Sequence, residues 1–508
     1  MYIVSYKRFF YIIFALILYI VGFLSSYPYL LEFKTEGSSK IDTVRSILEY
    51  SIMFLSFLVF CLLILRKNRW FKALAYILFL ILTLNFSLSA SCFFIYKQGF
   101  NVGMMLSIIE TNIDEAKSMM NTMLLPILST LLFFSILIMI FRGGDEIKPK
   151  GKSKILLIIF SSCWLILPFI FYIKHVYVAN KGGGFMIKNI FYHTLDVERA
   201  LNLKNEIKEI QNVKINYNFV NNNEEPVNNI ILLIGESARR RNMSLYGYQK
   251  RETTPIANSE RSNMLLFENA YAPAGITNLA VPIILSNVNI DHYSREINKL
   301  GDNIVSAANH LGYSTYWLST QGGAQGITAI ASFAQHKKYL NGFDEVLISE
   351  LRESLKTENK KLIVLHINGS HPYVCDKYPK SEAVWNGGIH ECYDNSIKYT
   401  DKIIGKIINE IKNKNSVLIY LSDHGQKLDD DKYIHGDYRE ASEVPYFIWY
   451  SKKINSEKKG KSISELTSTT TLYANVLGFM GVKNPNIVNN SGKYLNLKLN
   501  TIKYENLK

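Results

Sequence analysis

Charged residues are nearly absent from the first third of this chain outside a few short loops. Apolar stretches at residues 9–31, 47–65, 71–96, 121–141 and 155–174 each approach the ~20 residues that a bilayer-spanning helix needs. One such run fits a buried soluble helix, but five in succession, divided by charged loops, argue against a soluble domain there. No small-residue cleavage site clearly follows the first run, so a retained anchor is expected in place of a removed signal peptide. No internal repeat is visible. Cysteine is scarce, with five in 508 residues. Cys61, Cys92 and Cys163 lie in the apolar runs and read as small packing residues. Acidic residues are outnumbered by basic ones, 43 to 57.

Much of that basic excess sits between the apolar runs. Lys7 and Arg8 precede the first, Arg66, Lys67, Arg69 and Lys72 fill the second-to-third connection, and Arg142, Lys148, Lys150, Lys152 and Lys154 the fourth-to-fifth. The positive-inside rule puts these loops in the cytoplasm and everything after about residue 175 on the opposite side. The remaining positive charge suits anionic lipid headgroups. Nucleic acid is a poor partner for a half that lies outside the cytoplasm. An oxidising compartment favours a disulfide between Cys375 and Cys392. The expected domains are a five-helix membrane part at 1–175, a linker with a bridging helix at 176–228, and a globular part at 229–508.

In the globular part strands and helices alternate, with strands expected at 229–235, 314–319, 361–368, 415–422 and 444–450. That order implies an α/β fold with a mostly parallel sheet covered on both faces. Three of the strands run straight into polar residues: Asn229–Gly235 into Glu236-Ser237, Lys361–Ser370 into His371, and Ser416–Ser422 into Asp423-His424-Gly425. Ligands bind at the carboxyl edge of such sheets, so the three segments predict one metal-centred site. Carboxylate and imidazole suit a divalent ion such as zinc. His435, in a Gly/Asp-rich loop, and His371 are candidates to ligate a metal or meet a phosphate, and His366 reads as a supporting residue.

Zinc needs a group to activate, and Ser237 and Thr277 are the nearest hydroxyls by context. Taken alone, a threonine after Pro-Ala-Gly reads as a helix N-cap. Upstream, Ser107, Thr111 and Glu115 recur every four residues and share a helical face. From spacing alone that face is a solvated stripe on an interfacial helix, and a lipid-headgroup site is the sharper alternative.

With these segments in view, the chain resembles the phosphoethanolamine transferases that modify lipopolysaccharide. GESARRRNMSLYGYQKRETTP, TNLAVP, GSHPY, YDNSIKYTD and LSDHG look like that family's ordered motifs. The resemblance implies five membrane helices and a periplasmic alkaline-phosphatase-like (sulfatase-type) domain, in a multi-pass protein of the bacterial inner membrane. It implies zinc held by Glu236, Thr277, Asp423 and His424, with Thr277 as nucleophile and a second zinc open. His371 and His435 would meet phosphate or that second ion, and Ser107, Thr111 and Glu115 the donor headgroup. The implied donor is phosphatidylethanolamine and the acceptor lipopolysaccharide, at a core sugar or lipid A, in a protein acting as a monomer. Resistance to cationic peptides is the implied consequence. The cysteines that bracket the nucleophile loop in many relatives are replaced by Pro273 and Ile283, whereas Cys375 and Cys392 keep the later bridge. The segment from Thr320 to Gly326 looks more like the core-sugar branch. The alternatives are a phosphoglycerol transferase of the same architecture, a hydrolase, and a scaffold with a dead catalytic domain.

Overall fold

The computed structural model describes residues 69–96, 100–110, 186–213, 215–321, 329–429 and 432–507, with short pieces between 48 and 60 and between 124 and 166. The chain divides into two compact units, one of residues 1–101 and 117–198, the other of 102–116 and 199–508.

In the first unit the longest described element is helix α1, Arg69–Tyr96, with 28 residues. Its Ile77, Leu80, Ile81 and Leu84 are exposed. Among the described residues no helix is long and apolar enough to cross a membrane. The expected span at 9–31 lies outside the described residues, those at 47–65, 121–141 and 155–174 lie partly within them, and 71–96 falls on α1. Cys92 is buried, as expected of a packing residue, while Cys163 is half-exposed.

The second unit is built on an eight-stranded sheet. Its strands are β1 (Asn229–Gly235), β2 (Met264–Tyr271), β3 (Ser314–Ser319), β4 (His336–Tyr339), β5 (Lys361–His366), β6 (Ser416–Ser422), β7 (Tyr446–Tyr450) and β8 (Ser462–Ser468). Their spatial order is β8-β2-β7-β6-β1-β5-β3-β4. β7 runs antiparallel to both neighbours and every other pairing is parallel. β1 lies in the middle, paired in register with β5 and β6, and all seven of its residues are buried. A strand covered on both faces must be apolar throughout, which is why Ile230–Ile234 carries no alternation. Each of these side chains contributes about 1.5–3 kcal/mol by leaving water.

One face of the sheet packs Ile231, Leu233, Ile363, Leu365, Leu418 and Tyr420 against helices α6 (Leu347–Ser354) and α7 (Ile389–Ile411). α7 turns Tyr393, Ile397, Ile404, Ile407 and Ile411 inward at helical spacing. Further helices in this unit are α4 (Thr277–Leu285), α5 (Ile304–His310) and α8 (Leu472–Phe479), which touch one another through α8. Helix α2 (Val102–Glu110) also belongs here and packs against α4. Gly103 N donates to Leu497 O at 3.0 Å. Helix α3 (Met186–Glu209), 24 residues long, falls within the stretch at 176–228 where a bridging helix is expected.

Candidate metal centre

The parallel register fixes where the polar residues land. Gly235 pairs with Ser422 and Ile234 with His366, so the residues that follow β1, β5 and β6 leave the sheet at one edge. Glu236 and Asp423 therefore stand side by side, both fully buried, with Asp423 N donating to Gly235 O at 3.0 Å. Ligand atoms of Glu236, Asp423 and His424 all lie within 4.8 Å of one another.

Each group is held. Glu236 Oε1 accepts Ser237 Oγ at 2.6 Å, and Glu236 Oε2 accepts Thr277 Oγ1 at 3.0 Å and Gln321 Nε2 at 2.9 Å. Asp423 Oδ1 accepts the amides of Ser237 at 3.1 Å and His424 at 2.7 Å. His424 Nδ1 donates to Gly425 O at 2.8 Å, which turns the Nε2 lone pair toward the site. Nε2 lies 3.2 Å from Thr277 Oγ1, 3.4 Å from Asp423 Oδ2 and 3.6 Å from Glu236 Oε1. Burial opposes a charge on His424, but the carboxylates of Asp423 and Glu236 and the Gly425 carbonyl outweigh it and raise its pKa.

Ser237 sits at φ 58°, in the left-handed region that costs a non-glycine residue about 1–3 kcal/mol. Three contacts impose it: the two just given, and Tyr393 Oη donating to Ser237 O at 2.6 Å. Tyr393 Oη also accepts Arg239 N at 2.9 Å. The next residue, Asp394, gathers Asn242 Nδ2, Tyr248 Oη and Arg251 Nη1 within 2.7–2.8 Å. The start of α7 thus ties down the whole stretch that follows β1.

Asp423 Oδ2 is buried and has no hydrogen-bond partner. An orphaned anionic oxygen beside a second buried carboxylate is costly unless a cation meets both. Two carboxylates, an imidazole nitrogen and a hydroxyl in one cluster are a donor set for a zinc-like ion, so these residues fit the implied metal. The His435 ring lies 5.0 Å from that of His424 and 6.4 Å from that of His371. Burial holds His371 at a pKa of about 4 and His435 well below the usual histidine value, so both present neutral imidazole.

Of the residues expected from sequence, Glu236, Thr277, Asp423 and His424 come together, with His371 and His435 alongside. Ser107 lies on α2 and its Oγ donates to Gly103 O at 3.2 Å; Thr111 and Glu115 lie outside the described residues. Cys375 and Cys392 form a disulfide. His366, the last residue of β5, is buried and neutral, with a pKa of about 4 set by desolvation. Gln321 and Tyr393 are contacts that sequence reasoning missed. Tyr393 lies within YDNSIKYTD and Gln321 within the Thr320–Gly326 segment that resembles the core-sugar branch, but neither segment by itself points to a contact with Ser237 or Glu236.

A sheet of this order with buried carboxylates and a hydroxyl at its carboxyl edge defines the alkaline-phosphatase-like class of α/β enzymes. The sulfatase family model matches residues 228–482, and a model of the transferase YhbX N-terminal domain matches 38–183. The chain is 32% identical over 468 residues to the putative transferase YhbX of Escherichia coli K12, covering 85% of this chain and 83% of that one. It is 25% identical over 453 residues to the phosphoethanolamine transferase EptA of the same organism, covering 78% and 81%. The integral membrane protein lipooligosaccharide phosphoethanolamine transferase A from Neisseria meningitidis superposes with a TM-score of 0.63 at 18% identity, over 96% of this chain and 98% of that one. The chain belongs to the sulfatase family and, within it, to the phosphoethanolamine transferases. It is a transferase enzyme.

Proposed function

We propose that this protein moves phosphoethanolamine from phosphatidylethanolamine to a lipopolysaccharide acceptor by way of a covalent threonine intermediate. The observation that carries this is the Thr277 hydroxyl, 3.0 Å from Glu236 Oε2 and 3.2 Å from His424 Nε2, beside the orphaned Asp423 oxygen. Zinc held by Glu236, Asp423, His424 and Thr277 would lower the hydroxyl pKa and offset charge on the phosphoryl oxygens. Thr277 Oγ1 gives up its proton and bonds to phosphorus, and the bond from phosphorus to the diacylglycerol oxygen breaks, that oxygen taking a proton as it leaves. An acceptor hydroxyl or phosphate on the glycolipid then bonds to the same phosphorus, the bond from phosphorus to Thr277 Oγ1 breaks, and Oγ1 takes up the proton that the acceptor gives up. Neutral His371 and His435 supply hydrogen bonds to the group in transit without adding charge.

Two features support a lipid donor. α2, which carries Ser107, packs against α4, which starts at Thr277. In the first unit the exposed apolar row on α1 suits lipid better than water. The protein is read as an inner-membrane enzyme with five spans, its catalytic unit on the periplasmic side, working as a monomer.

The test is the intact mass of the detergent-purified protein after incubation with phosphatidylethanolamine, beside Thr277→Ala. A phosphoethanolamine adduct on the wild type and none on the variant is expected. A glycerophosphate adduct from phosphatidylglycerol alone would make the donor phosphatidylglycerol, and an adduct on Thr277→Ala would remove Thr277 from its role.

A further inference from the structure

Glu236 Oε2 accepts from two donors, Thr277 Oγ1 and Gln321 Nε2, and only one of them keeps its proton through the reaction proposed above. Gln321 has the means to be the permanent one. Its Nε2 donates to Glu236 Oε2 at 2.9 Å and to Ile367 O at 2.8 Å, which uses both hydrogens of the amide. Both neighbours are acceptors, so nitrogen, not oxygen, must occupy that position. The side chain thus pins the Glu236 carboxylate to the backbone at the end of the neighbouring strand.

The corner that delivers Gln321 is itself fixed. Gln321 N donates to Ser319 Oγ at 3.0 Å, and Ser319 Oγ donates back to Gln321 O at 2.9 Å. Thr320 N donates to His366 O at 3.0 Å. Buried Asp344 accepts Thr320 Oγ1 at 2.5 Å, Asn368 N at 2.9 Å and Gly369 N at 3.0 Å. One carboxylate therefore clamps the turn after β3 to the turn after β5. Ser370 N in turn donates to Glu236 O at 2.9 Å. Gln321 and Glu236 are held on one rigid frame.

We infer that Gln321 is a positioning residue for the metal-binding carboxylate, holding Glu236 Oε2 in place while the Thr277 hydroxyl gives up its proton. This rests on the reading of Glu236 as a metal ligand. A neutral amide suits that role because it orients the carboxylate without cancelling the negative charge that attracts the ion. A lysine at the same position would donate a hydrogen bond but place a competing cation beside the ligand.

The experiment uses the full chain in detergent and titrates Zn2+ against a chromophoric chelator, with Co2+ as a spectroscopic probe of ligand geometry. Gln321→Met keeps the length and removes the donor; Gln321→Lys keeps a donor and adds charge. Loss of a hydrogen bond behind a ligand lowers metal affinity about 10–100-fold. Both variants are expected to bind Zn2+ more weakly by such a factor and to shift the Co2+ visible band. The metal-free melting temperature should stay at its wild-type value, and kcat should fall with the KM for donor lipid unchanged. Wild-type Zn2+ affinity and Co2+ spectrum in Gln321→Met overturn the inference, as does a loss of affinity matched by loss of metal-free stability. Failure of the wild type itself to bind Zn2+, with Glu236→Gln no different, overturns the underlying reading instead.

Discussion

Gly275 offers the sharpest perturbation, because its place is set by space. A Cβ added there would stand 2.2 Å from Gly436 O and 2.6 Å from Tyr494 Oη. Tyr494 is fully buried and cannot swing away, so relief falls on the backbone. To reach even 3.0 Å from Gly436 O, the two turns must part by about 0.8 Å. One of them leads into Thr277 and the other directly follows His435, so the displacement goes into the site whichever turn yields. A misplacement of about 1 Å costs on the order of 10²-fold in rate, or ~2.7 kcal/mol of barrier. Overpacking adds a stability loss of about 1–3 kcal/mol. Gly275→Ala should therefore fold with a lowered melting temperature and bind zinc, yet form the Thr277 adduct about a hundredfold more slowly by quenched-flow mass spectrometry. Gly478→Ala is the control, since nothing lies within 4 Å of a Cβ there. It sits inside α8, and alanine should raise stability by about 0.5–1 kcal/mol without changing the rate. Wild-type adduct formation by folded Gly275→Ala would refute the reasoning.

The Cys375–Cys392 bridge spans 17 residues, and opening such a loop costs about 3 kcal/mol. A denaturant titration of Cys375→Ser/Cys392→Ser should show that loss, matched by the reduced wild type, and slower turnover because Cys392 precedes Tyr393. His366 has its folded pKa lowered to about 4 from an ordinary 6.5. Between those values the unfolded chain binds a proton that the folded one refuses, so stability falls as pH drops through that window. Going from pH 7 to pH 5 should cost about 2 kcal/mol through this group, and His366→Gln should remove that part of the slope in calorimetry. A Cβ on Gly103 would meet Leu497 Cδ2 at 2.9 Å, so Gly103→Leu should unseat α2 and speed its cleavage in limited proteolysis.

What was legible in the sequence follows from burial. β1, β3, β5, β6 and β7 were expected close to their observed bounds because each carries an apolar run. β2 escaped notice because Glu268 and Asn269 interrupt it with two exposed residues. β4 reads HKKY and is exposed throughout, and β8 is the mostly polar strand at the opposite edge. Edge strands have solvent on a flank and need no apolar signature. The metal cluster was legible for a related reason, since its carboxylates and His424 follow buried strands and the register brings strand ends together. Gln321 was not, because an amide in a Gly-rich turn acquires meaning only when the corner geometry aims it at Glu236.

The seam at Leu497 joins distant parts of the sequence. Leu497 N donates to the Asp437 carboxylate, Leu495 N donates to Pro273 O, and Leu497 O accepts Gly103 N. The wall beside Thr277 is thus assembled from residues on both sides of the first unit's second segment, so no single cut through the chain yields an intact reaction chamber. A fragment starting at residue 199 keeps the whole sheet and the candidate metal ligands, yet lacks the helix whose Gly103 lies against Leu497 and Ile276. Its catalytic constants would describe a chamber with one side removed, and comparison with the full chain would measure what that side contributes.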